Sequence, residues 1–189
     1  MMVTMSNEAE SAEWDDLPKR VYLDTSTLQV LNDFGGWIYD GDDLELTDRQ
    51  RQIPGIVEEL DALRQMFRAN LRMPFQAVVT EPALAEVAGR ADRRFSQWAY
   101  EVMDHWFFHS AHESLPIIGP SLEQPAFGMI SAKDRLLLQD ALNNRCDAFM
   151  TMERRLPTAG AFFRRQTGLQ ILRPTACLAL VRPWAALFS

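Results

Sequence analysis

Four acidic residues of this chain stand where acids can do chemistry together: Asp24, Glu86, Asp134 and Glu153. Asp24 ends the apolar, strand-prone run Val21-Tyr22-Leu23, and Thr25-Ser26-Thr27 then offer hydroxyls suited to a helix start. Glu86 lies among Leu84, Ala85, Val87 and Ala88, a poor setting for an idle carboxylate. Asp134 completes the capping pattern Ser131-Ala132-Lys133-Asp134, and Glu153 follows the segment Cys146-Asp147-Ala148-Phe149-Met150-Thr151. Two like charges about 4 Å apart repel by roughly 4 kcal/mol at an effective dielectric near 20, so such a cluster calls for a cation. Mg²⁺ or Mn²⁺ on oxygen ligands is the natural compensator. An ion of that kind lowers the pKa of bound water and polarises a phosphoryl oxygen, which is the chemistry of phosphodiester hydrolysis.

The elements that must position these acids are legible as an alternation of strands and helices. A first strand runs into Asp24, and a short helix reaches Asp33-Phe34, where Gly35-Gly36 is expected to stop it. A loop carrying Asp40, Asp42, Asp43 and Glu45 follows; it lacks the spaced ligands of a calcium-binding hand and reads as solvated. Thr47-Asp48-Arg49-Gln50 is a capping box expected to open one long helix with Ile53, Ile56, Val57, Leu60, Leu63 and Phe67 on one face, ended by Met73-Pro74. Phe75 to Val79 is a second strand, and Glu81-Pro82 opens the helix that carries Glu86. An aromatic helix spans Asp92 to Ser110, and Leu115 to Pro125 is a loop. The next helix, Arg135 to Asn144, presents Leu136, Leu137, Leu138, Ala141 and Leu142 to the core. Cys146 to Thr151 is a third strand. After the basic segment of Arg154-Arg155 and Arg164-Arg165 comes a last strand, Leu169 to Leu172, which leads through Pro174 into a terminal helix.

Such alternation predicts a parallel sheet covered on both faces, a three-layer α/β sandwich whose right-handed crossovers bring every strand C-terminus to one edge. Ligands of open α/β sheets sit at that edge, and all four acids fall just after a strand end or in an early turn of the following helix. Plain structural readings stand beside the chemical ones. Asp24 and Asp134 serve equally as helix caps, and Asp140 rivals Asp134, although its helical angle points it elsewhere. Thr25 and Thr151 are candidates to hydrogen-bond a ligand or bound water, or are caps. Lys133, Arg135, Arg154 and Arg155 border the expected cleft as substrate-phosphate contacts or as a solvated face.

With 189 residues the chain is long enough for one domain with a sizeable core; 47% of residues are hydrophobic and 24% charged. A net charge of -7 argues against unspecific nucleic-acid binding over the whole surface, not against a local basic rim. Residues 1–18 read as a mobile acidic tail and 19–189 as the domain. Cys146 and Cys177 read as buried thiols in a reducing compartment. With no basic-then-apolar leader and no bilayer-length apolar run, the expected location is the cytoplasm, away from membranes. His105, His109 and His112 lack the intervening acid of a metalloprotease helix and read as a surface or interface cluster. The aromatic side chains Trp98, Trp106, Phe107 and Phe108 exceed what one helix face buries, which points to self-association as a homodimer or to a protein partner. A phosphatase with a strand-end Asp nucleophile needs a second Asp where this chain has Ser26, which removes that class.

Leu23-Asp24-Thr25-Ser26, Val79-Thr80 through Ala85-Glu86, Asp134-Arg135-Leu136 through Ala141-Leu142, and Cys146-Asp147-Ala148-Phe149-Met150-Thr151-Met152-Glu153 together resemble the PIN-domain family, VapC-type toxin ribonucleases included, over about Arg20 to Val181. The resemblance implies a Mg²⁺/Mn²⁺-dependent endoribonuclease with acidic ligands at Asp24, Glu86 and Asp134, RNA as substrate, and a cognate antitoxin protein as partner. The fourth acid of the family is usually Asp; Glu153 carries its oxygens further out and would act through water or on a second ion. The segment 35–73 is longer than in compact members and would reshape access to the site. The competing expectation is a catalytically weak or inactive PIN-like module that serves binding or assembly.

Overall fold

The structure, a computed structural model, describes residues 17–70, 75–89, 93–106 and 120–185. Its centre is a four-stranded sheet in the order β2-β1-β3-β4, formed by β1 (Arg20–Leu23), β2 (Gln76–Val78), β3 (Ala148–Met150) and β4 (Gln170–Leu172). Every pairing is parallel, with Tyr22 beside Val78 on one flank and Phe149 on the other, and Phe149 beside Ile171. The two central strands, β1 and β3, are short and buried on both faces, which explains apolar runs without alternation.

Helices cover both faces. Val21, Leu23, Ala77, Ala148 and Met150 face one core with Leu28 and Leu31 of α1 (Thr25–Asp33), Leu60 and Leu63 of α3 (Ile56–Asn70), Phe95 of α5 (Arg93–Trp106) and Cys177 of α8 (Pro174–Ala185). Tyr22, Val78, Phe149 and Ile171 face the other, with Leu137, Leu138 and Ala141 of α6 (Ala132–Asn143) and Phe163 of α7 (Gly160–Thr167). Between the two lies α4 (Glu81–Ala88), which sends Leu84 and Val87 to the first core and Ala83 to the second. Tyr22 and Phe149 stack with centroids 5.2 Å apart in the second core. The expected three-layer α/β sandwich with a parallel sheet is the observed architecture.

Several local expectations change. Gly35 keeps right-handed helical angles, and the chain continues through a π-helical turn, Gly36–Asp40, before Gly41 ends it at φ 87°, a conformation that favours glycine. The capping box at Thr47 forms, but it opens only α2 (Asp48–Arg51). Pro54-Gly55 then breaks the path, with Gly55 at φ 71°, and the long helix restarts at Ile56. Ile53 and Val57 are consequently exposed, while Glu59 joins the buried face. Leu136 is exposed as well, because the core-facing side of α6 runs through Leu137, Leu138, Ala141 and Leu142. The basic segment between β3 and β4 folds into α7. Leu17 and Pro18, at the end of the expected tail, are buried, Leu17 against Val181. Residues 1–16, Met73-Pro74, His109, His112, Phe107 and Phe108 lie outside the described residues, as do the side chains of His105 and Trp106. Among the described residues no helix is long and apolar enough to cross a membrane.

Candidate functional site

Asp24 leaves β1 at its C-terminal end and caps α1. Its Oδ1 accepts the Thr27 amide at 2.7 Å, the Ser26 hydroxyl donates at 2.8 and 2.9 Å, and the Thr151 hydroxyl donates to Oδ2 at 2.6 Å. The same hydroxyls reach onward. Ser26 Oγ accepts the Met152 amide at 3.0 Å, Thr151 Oγ1 accepts the Glu153 amide at 3.0 Å, and Thr27 donates to the Met150 carbonyl at 3.1 Å. A single knot thus staples the exit of β1 to the exit of β3 and holds the backbone from which Glu153 projects. Burial pushes the Asp24 carboxyl above its usual range, and the donations from Thr151, Thr27 and Ser26 pull partly against it.

Glu86, half-buried on α4, pairs with the Lys133 ammonium at 2.7 Å. Lys133 and Asp134 both belong to the first turn of α6, where Ser131 donates its hydroxyl to Asp134 Oδ2 at 2.6 Å and accepts the Asp134 amide at 3.1 Å. Asp134 is therefore a cap partner and a member of the acidic edge at once. Glu153 is exposed at the rim. Its carboxyl is raised first by desolvation, then by the charges of Asp134 and Asp24 and, more weakly, of Glu86, while Lys133 lowers it. The structure accordingly brings all four acids into one electrostatic neighbourhood, with Lys133 as a resident counter-charge.

A cleft of about 450 Å³ opens at Asp134 and Glu153, and Ile130, Ser131, Arg155 and Thr158 also line it. Arg154 is exposed beside Glu153. Arg135 turns away to the chain before α6, donating to the Ile130 carbonyl at 2.9 Å and to that of Phe127 at 3.5 Å. Thr25 is buried next to Asp24, and its hydroxyl has no hydrogen-bond partner among the described residues. The donor set, carboxylate and hydroxyl oxygens, suits a hard divalent cation. Among the described residues no three acids, histidines or cysteines are near enough to ligate one ion as they stand. The donors are of the kind such an ion takes, while Glu86 is engaged with Lys133 and Asp24 with three donors.

Sequence reasoning passed over Ser26, Tyr22 and Thr80 at this edge, and Glu59 away from it. Ser26 stands two residues after Asp24, a spacing that allows a side-chain turn and signals its contact. Tyr22 and Thr80 send their hydroxyls to Asp140, from β1 and from the residue before α4. Glu59 is buried and pairs with Arg173 at 3.3 Å; its place three residues after Ile56 and four before Leu63 puts it on the apolar face of α3, which is the signal that could have found it. No family model matches the chain, and no curated protein or solved structure matches it significantly either.

Proposed function

We propose that this chain is a Mg²⁺- or Mn²⁺-dependent endoribonuclease of the PIN kind. The observation that carries the reading is the meeting of acids from β1, α4 and α6 with Glu153 at the C-terminal edge of a parallel sheet. There Asp134 and Glu153 line one cleft, Glu86 reaches Lys133 beside Asp134, and the three charges add to desolvation in raising the Glu153 carboxyl. Asp24, Glu86 and Asp134 would hold the ion, which supplies charge compensation at the phosphate and an acidified water. Glu153, its carboxyl raised first by desolvation and still open to solvent, would take the proton of the attacking water. Arg155 in the cleft and Arg154 beside it give the RNA strand cationic contacts outside the acidic centre. Thr151 and Ser26 keep Asp24 oriented. Arg135, committed to two carbonyls, serves the loop and not the substrate.

The second reading is a PIN-like binding or assembly module. It is favoured by the Glu86–Lys133 pair and by the three donors already on Asp24, which leave the acids compensated without an ion. The discriminating experiment is cleavage of a mixed RNA pool with and without Mn²⁺, for the native protein and for Asp134→Asn. Mn²⁺-dependent cleavage lost in the variant supports the enzyme. Metal-independent cleavage, or equal cleavage by the variant, overturns it in favour of the module.

A further inference from the structure

We infer that Asp140 is a positioning residue that sets the mutual placement of Asp24, Glu86 and Asp134; the inference rests on the metal-dependent reading of that edge. Asp140 Oδ2 accepts the Tyr22 hydroxyl at 2.8 Å and the hydroxyl of Thr80, and these two hydroxyls lie 2.8 Å from each other. Asn144 donates to Oδ1 at 3.2 Å. One carboxylate, half-buried under the sheet, therefore joins three separate pieces of chain.

Each piece carries one acid. Tyr22 is on β1, two residues before Asp24; Thr80 is the N-cap of α4, six residues before Glu86; Asp140 is on α6, six residues after Asp134. Six residues of helix span about 9 Å and behave as a rigid lever over that length. A shift at the knot is thus delivered to the acids almost undiminished. Metal ligation has little tolerance for it, since Mg²⁺ takes its oxygens at about 2.1 Å in near-octahedral geometry.

Thr80 supplies an independent sign. It occupies the N-cap position of α4, yet its side chain makes no capping hydrogen bond to that helix. Its hydroxyl goes to Asp140 instead. A capping hydrogen bond is forgone for a tie between elements. Tyr22 and Thr80 are both fully buried, so their hydroxyls need this acceptor and the knot has no solvent alternative.

The test measures Mn²⁺ affinity by calorimetry on folded protein for Asp140→Leu, Asp140→Asn, Thr80→Val and Tyr22→Phe, with Glu59→Gln as a control for lost stability far from the knot. Partners of metal ligands typically change affinity 10–100-fold when removed. Asp140→Leu and Thr80→Val should weaken Mn²⁺ by at least tenfold. Asp140→Asn, which retains an acceptor oxygen, should stay within about threefold by the same scale. Glu59→Gln should lower the melting temperature and leave the affinity unchanged. If Asp140→Leu does not fold, Thr80→Val and Tyr22→Phe decide the matter. Native Mn²⁺ affinity in the knot variants overturns the inference alone. No Mn²⁺ uptake by the native protein overturns the reading of the site and the inference with it.

Discussion

At the scale of single residues, Asp24 carries two roles on the same two oxygens. It caps α1 through Thr27 and anchors β3 through Thr151, and it is also the most buried of the four edge acids. Asp24→Asn separates the roles. Asn caps about as well as Asp, so the cap survives, while the buried charge disappears. The apo variant, melted in EDTA, should be as stable as the native protein or more so. In Mn²⁺ its cleavage of fluorescent RNA should fall by orders of magnitude. Unchanged stability and unchanged cleavage would instead make the cap the whole role of Asp24, and lost apo stability would mean that the donations from Thr151 and Ser26 need the charge. Lys133 gives the converse case, because its ammonium stands where a metal would relieve Glu86. Lys133→Gln should tighten Mn²⁺ several-fold by calorimetry and cost little stability, the pair being an exposed one worth well under about 1 kcal/mol.

Titration follows from the same residues. Asp24, Asp140 and Glu153 all have carboxyls raised in the fold, burial being the first cause in each. A raised carboxyl favours the folded state fully below its unfolded pKa, about 4, and that contribution is lost as pH rises through the folded value. In EDTA these three groups should therefore raise the melting temperature as pH is lowered through their folded values toward about 4. A divalent ion, which binds the ionised forms, should flatten or reverse the slope.

At the scale of elements, the joint between α3 and α8 depends on Glu59. Its oxygens accept the Thr175 amide at 2.9 Å and the Thr175 hydroxyl at 2.8 Å, and Arg173 completes the set. It caps α8 from a neighbouring helix. Glu59→Ala leaves a partly buried guanidinium and a helix-end amide uncompensated, a loss of about 3 kcal/mol. Glu59→Gln retains the cap and should lose less; urea unfolding measures both. The helical period singles Glu59 out from Glu58 and Asp61, since it alone falls on the face of Ile56, Leu60 and Leu63, but its partners Arg173 and Thr175 are set by packing. The break between α2 and α3 is different. Pro54-Gly55 announces it, but a proline near a helix start is also tolerated within the first turn. The left-handed angles of Gly55 decide the matter, and they answer to the direction in which α3 must run to reach the sheet.

At the scale of the whole molecule, a chain of net charge -7 that gathers acids at one sheet edge should respond to divalent ions as a unit. An ion at 100 times its Kd stabilises the native state by about 2.7 kcal/mol. For a domain of this size that is a rise of roughly 5–10 °C in melting temperature. An unchanged melting point across millimolar Mg²⁺ and micromolar Mn²⁺ would count against the site.

The sequence by itself determined the alternation of strands and helices, the parallel sheet, and the junctions at which Asp24, Glu86, Asp134 and Glu153 lie. Those features are local: apolar runs of strand length, capping residues and helical periodicity act within a few residues of themselves. The cysteines were legible for the same reason, and burial holds both thiols up at about 12. Tertiary structure alone decided what each acid touches. It gave Glu86 to Lys133, set Thr151 against Asp24, sent Arg135 to the chain before α6, and joined Tyr22, Thr80 and Asp140 beneath the edge. Most of these contacts cross tens of residues of chain, and side-chain hydrogen bonds form only where the packing of separate elements leaves donor and acceptor within about 3 Å.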